Sequence, residues 1–124
     1  MERKGRIERE EKVDALFAKA DHWLTTAEMT MDRQKALTSC QEAVRNLLSA
    51  FLLAKGESEP EDTGLNLPHL WEKCAQLDPE LLLLADCIRL CQEGEGLLST
   101  EGGQEMLLDA ANQGWDFIYG SLAK

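Results

Sequence analysis

Between Glu8 and Met31 the apolar residues Val13, Leu16, Phe17, Ala20, Leu24, Ala27 and Met31 recur at intervals of three and four. That spacing aligns one face of an α-helix, so a first long helix is predicted there. Asp32 is placed to cap a second helix, in which Leu37, Cys40, Val44, Leu47, Phe51 and Ala54 keep the same period until Gly56 stops it. Ala36, Ala43, Leu48, Ala50 and Leu52 widen this second stripe well beyond what one core-facing face needs. The extra width predicts that part of helix two meets another chain. Residues 56–64, with glycine at both ends, Pro60 between and four acids, offer nothing to bury and read as a loop. Two shorter helices are expected near His69 to Leu77 and Pro79 to Gln92, with Asn66 and Asp78 just ahead of Pro68 and Pro79. Gly94, Gly96, Gly102 and Gly103 read as a flexible connection ending in a Ser99 or Thr100 cap. A last long helix then carries Met106, Leu107, Ala110, Trp115, Ile118 and Leu122.

No window combines strict alternation of apolar and polar residues with β-branched types, and Leu, Ala, Glu and Gln favour helix. The fold class expected is all-α, an up-and-down bundle of four to five helices whose number depends on whether Pro79 breaks the third. With 124 residues and 44% apolar composition, the chain suits one domain over 1–124 with one core and no need of staples. Residues 1–9, where Arg3, Lys4, Arg6 and Arg9 alternate with acids, are expected to be a solvated or frayed terminus.

Charge and cysteine usage narrow the chemistry. A formal net charge of −10 opposes the phosphate-neutralising surface that extended nucleic-acid binding requires. No apolar run approaches the roughly 20 residues of a membrane span, and the charged start is unlike a signal peptide, so a cytoplasmic protein off the membrane is expected. Cys40, Cys74, Cys87 and Cys91 lie within helical apolar patterns and are read as reduced core thiols. Cys87 and Cys91, four apart, with a distant His69 do not make a zinc signature, so no metal and no cofactor is assigned. His22 and His69, beside Trp23 and Trp71, are the only histidines and are read as structural. The glycine-rich stretch 94–103 lacks the Gly-Lys-Ser/Thr ending of a phosphate-binding loop, and neither a diiron Glu-x-x-His set nor a nucleophile elbow occurs.

The most specific stretch is QEAVRNLLSAFLLAKG from Gln41 to Gly56, followed after the acidic loop by LNLPHLWEKC from Leu65 to Cys74. It resembles the HEPN family, whose second helix commonly reads Gln-Gln-Ala-x-Glu-Lys-x-x-Lys-Ala-x-x-x-x-x-Gly and whose third opens with Thr-His-x-Leu. Gln41, Ala43, Ala50, Gly56 and Leu67 match that register, over a resemblance spanning about residues 10 to 122. Arg45 and Asn46 replace the family's Glu-Lys pair, Ser49 its later Lys and Leu65 its loop His. The Arg and His of ribonucleolytic members are also missing, since Arg89 is the only arginine near the last helices and no histidine lies beyond His69.

The resemblance therefore implies a small, non-catalytic, dimeric helical module that binds a nucleotide or pairs with a minimal nucleotidyltransferase, as in toxin-antitoxin systems. A homodimer across helix two is expected. The candidate ligand residues are Arg45 and Lys55 on helix two with His69, Trp71 and Lys73 on helix three, a set of cationic and stacking groups. Two alternatives stay open: a degenerate, toxin-like HEPN ribonuclease using Arg89, and a helical adaptor with no small ligand.

Overall fold

The computed structural model describes residues 2–56 and 67–122, and every regular element among them is helical. Five α-helices occur in the order α1 (Glu2–Met29), α2 (Arg33–Ala54), α3 (Leu67–Leu77), α4 (Ala85–Gln92) and α5 (Gly103–Leu122), with 3₁₀ segments at Pro79–Leu84 and Gly94–Ser99. The all-α expectation holds. Most of the predicted acidic loop, and the Asn66 cap, lie outside the described residues. Helix α1 begins at Glu2.

Helix α2 is the centre of the bundle. Asp32 caps it as predicted, its carboxylate accepting from the N–H groups of Gln34 at 3.0 Å and Lys35 at 3.3 Å. At the other end Gly56 takes φ +92, the left-handed conformation that terminates a helix without a Cβ penalty. Twelve of its 22 residues are buried, and α1, α3, α4 and α5 all pack on it. The wide apolar coverage that suggested a second chain is therefore consumed inside the subunit. A helix packed by four neighbours needs an apolar face wider than one stripe.

α1 returns along α2 as a hairpin joined at 30–32, and α5 runs antiparallel to α1. Gln104 near the start of α5 donates to the Thr30 carbonyl at the end of α1 (3.0 Å). Phe17 midway along α1 meets Trp115 and Tyr119 edge-on at 5.3 and 5.4 Å, and Leu122 lies beside Val13 and Asp14. The core between these helices is filled by Leu37, Leu47, Leu48, Phe51, Leu107 and Ile118, each almost fully hidden.

The third helical region differs from its expected form. The span Pro79–Gln92 is split, with 3₁₀ geometry to Leu84 and α geometry from Ala85. The cause is local: the indole N–H of Trp71 donates to the Leu81 carbonyl at 2.9 Å, and the Ala85 N–H bonds three residues back, to Leu82. The glycine-rich connection is also more ordered than its composition suggests. Gly94 is buried and opens a 3₁₀ turn, at a place where a Cβ would run into Leu37 Cδ1 and lie 3.0 Å from Leu107 Cδ2.

Candidate functional site

A cleft of about 460 Å³ opens at one end of the bundle, where the first part of α1, the last turn of α2 and the last turn of α5 meet. Its walls mix signs: Arg9 and Lys55 contribute cations, Glu10 and Asp14 carboxylates, and Val13 and Leu122 an apolar floor. The Lys55 ammonium also sits 5.4 Å from the centre of the Phe51 ring, a cation–π contact that holds its stem against the bundle.

The five residues expected to bind a ligand do not converge here. Lys55 lines the cleft. Arg45 stands ten residues earlier on α2, about 15 Å along the axis, and lies 4.0 Å from Glu42 in an i,i+3 pair. His69 and Lys73 are exposed, four apart on α3. Trp71 between them is half-buried, and its ring N–H is committed to the Leu81 carbonyl. That indole ties α3 to the segment after it, a role sequence spacing does not reveal. Arg89, the residue on which a ribonuclease reading depends, is exposed and hydrogen-bonded to Asp86 one turn earlier.

All four cysteines are free and buried, as expected of core thiols. Cys74 donates toward the Leu48 carbonyl at 3.5 Å, and Cys87 donates to the Ala110 carbonyl at 2.8 Å. Burial pushes the Cys74 thiol up to about 12, and burial together with the nearby Cys87 pushes Cys40 up to about 11. Cys91 rises further, through its hydrogen bond with Cys87 and then through burial. Cys40, Cys74 and Cys91 therefore stay protonated near neutral pH and are poor nucleophiles, whereas the hydrogen bond from Cys91 lowers Cys87 below its ordinary value against the opposing effect of burial. Among the described residues no group of three or more His, Cys, Asp or Glu side chains is arranged to hold a metal ion.

The row that α5 turns toward α1 is a further feature, one that the sequence alone does not single out. Leu108, Trp115, Tyr119 and Leu122 recur at helical intervals on one flank. Leu108, Trp115 and Leu122 are partly buried, whereas Tyr119 is 53% exposed. Trp115 and Tyr119 stack with ring planes 6° apart and centres 5.9 Å apart. The periodicity of Trp115 and Leu122 is visible in the sequence, but the neighbour that leaves this flank half-covered is not. Other large apolar groups in water are Met29, Met31, Leu77, Leu82, Leu83 and Met106. No helix among the described residues is long and apolar enough to cross a membrane. Comparison with protein-family models, with curated proteins and with solved structures returned no match.

Proposed function

We propose that this chain is a non-catalytic helical binding module, HEPN-like in character, that works by docking another protein. The observation that carries this reading is the half-covered row of Leu108, Trp115, Tyr119 and Leu122 beside α1, apolar surface that the bundle itself leaves unfinished. Supporting it, the candidate cations and rings are dispersed, and the raised thiols of Cys40, Cys74 and Cys91 are unsuited to nucleophilic work. The test is a photoreactive amino acid placed at Tyr119 in cells that make the protein. One stoichiometric cross-linked protein, lost when the probe is moved to the exposed Glu72, is the expected result; uniform labelling at both positions would remove the reading.

A second reading is favoured by the Arg9 and Lys55 pair in the end cleft: a nucleotide bound by its phosphates. Glu10 and Asp14 in the same walls oppose that charge, which makes it the weaker of the two. Calorimetry with ATP and GTP separates them, since flat isotherms at millimolar nucleotide leave protein docking alone. A dimer or a nucleotidyltransferase partner belongs to the same proposal, although the apolar face of α2 is not the surface on which either would form.

A further inference from the structure

Charge is sorted along the seam where the apolar row of α5 meets α1. From Leu90 to Ala123 the chain has six acidic residues and no Lys or Arg. Three of the acids, Glu105, Asp109 and Asp116, stand exposed on α5 at intervals of four and seven, a narrow ridge next to Tyr119. α1 repeats the arrangement from the other side. Phe17 marks the edge of α1 that meets α5, and Glu10, Asp14, Asp21 and Glu28 fall at intervals of four, seven and seven along that same edge, all exposed. Lys12 and Lys19 lie around the opposite face of the helix, and the cations nearest the bank are Arg9 and Lys55, beside Glu10 and Asp14 in the end cleft. The antiparallel course of α1 and α5 thus sets an aromatic and aliphatic strip between two acidic banks.

We infer that the α1–α5 seam is a docking groove for a basic amphipathic helix supplied by another protein; this rests on the binding-module reading above. The apolar face of such a helix would cover Leu108, Trp115, Tyr119 and Leu122, and its Lys or Arg residues would meet the carboxylates on both sides. A cation over the exposed Tyr119 ring adds a cation–π contact flanked by Asp116. Charge selects this occupant over a second copy of the chain, which would bring seven carboxylates against seven. It also selects against nucleic acid, whose phosphates the banks repel. The banks run from Glu10 to Glu28, 18 residues of rise on α1, or about 27 Å, so a partner helix of about 18 residues fits the seam.

The test uses three synthetic 18-residue peptides with the full chain: an amphipathic Leu/Lys helix, a scrambled isomer of it, and a Leu/Glu counterpart. Binding is measured by calorimetry and located by amide chemical shifts. The amphipathic Leu/Lys peptide is expected to bind one to one and to move amides of residues 13–28 and 104–120. Asp14→Lys with Asp116→Lys should weaken it at least tenfold, and Tyr119→Ala at least threefold. Glu72→Lys with Glu80→Lys, which changes net charge equally at exposed positions off the seam, should change it less than threefold. Equal losses in the two charge-reversed proteins, or equal binding of the scrambled isomer, would show general charge attraction and overturn the inference. Should a variant fold poorly, a spin-labelled Leu/Lys peptide on the unmodified protein locates the contact instead: broadening confined to amides of α1 and α5 supports the groove, and broadening spread over the bundle overturns it. Failure of the Leu/Lys peptide alongside a single cross-linked partner at Tyr119 would remove the basic helix and leave the module; loss of both removes the module as well.

Discussion

The indole N–H of Trp71 donates to the carbonyl of Leu81 at 2.9 Å, and the bond decides the geometry of the chain on both sides of it. In an α-helix that carbonyl would accept from Ala85; here the Ala85 N–H turns to Leu82 and the segment winds as 3₁₀. Phe in place of Trp71 keeps the ring and removes the donor, leaving the carbonyl of the buried Leu81 short of its partner. Trp71→Phe should lower stability by about 1–2 kcal/mol, read as an earlier midpoint in urea with the slope unchanged.

Gly94 is where the fold tolerates no side chain. A methyl group there meets Leu37 and Leu107, both at most 1% exposed and hemmed in by the core. Gly94→Ala is expected to cost about 1–3 kcal/mol, whereas Gly96→Ala, with no atom of the described residues within 4 Å of the added carbon, should be close to neutral. Thermal unfolding of the two variants side by side checks the contrast.

Ser39 predicts an effect of opposite sign. It is 1% exposed on α2, and its hydroxyl has no hydrogen-bond partner among the described residues. Ser39→Ala removes an unsatisfied buried group and adds a better helix former, so stability should rise by about 1 kcal/mol. A lower melting temperature would show that the hydroxyl is satisfied in solution.

The raised thiols contribute to the alkaline limb of stability. An unfolded cysteine ionises near 9, while folded Cys74 holds its proton to about 12. Above pH 9 the folded state therefore binds more protons than the unfolded one, and stability falls as pH rises. The contribution is complete below pH 9 and is lost progressively between about 9 and 12, at about 1.4 kcal/mol per pH unit per thiol. Cys74→Ala should flatten this slope in urea titrations between pH 8.5 and 10.5, whatever it costs in packing at pH 7.

The elements most legible in the sequence are those whose causes are local. The three-and-four spacing of Leu37, Cys40, Val44, Leu47 and Phe51, with Asp32 ahead and Gly56 behind, marks α2 correctly at both ends. What cannot be read is who stands next to whom. The apolar breadth of α2 has the same signature whether its neighbours come from this chain or another, and only the packing of α1, α3, α4 and α5 around it decides. Gly94 reads as flexible because composition records the absence of a side chain and not the two leucines that require it. For the site, residue type is visible and direction is not. Arg45, Lys55, His69, Trp71 and Lys73 have suitable groups but are set apart, while the row on α5 becomes a surface only once α1 is laid along it.

The absence of lysine and arginine between Leu90 and Ala123 also governs how this region can be watched. Trypsin has no cleavage point within α5, so complete digestion returns Leu90 to Lys124 as a single long fragment carrying the end of α4, the buried Gly94 and the whole aromatic row. Amine-directed labels pass over the same stretch in silence. Any map of surface contacts drawn from tryptic peptides or lysine reagents will be blank along α5, and acid-directed coupling or cleavage at Glu and Asp is what will make that helix visible.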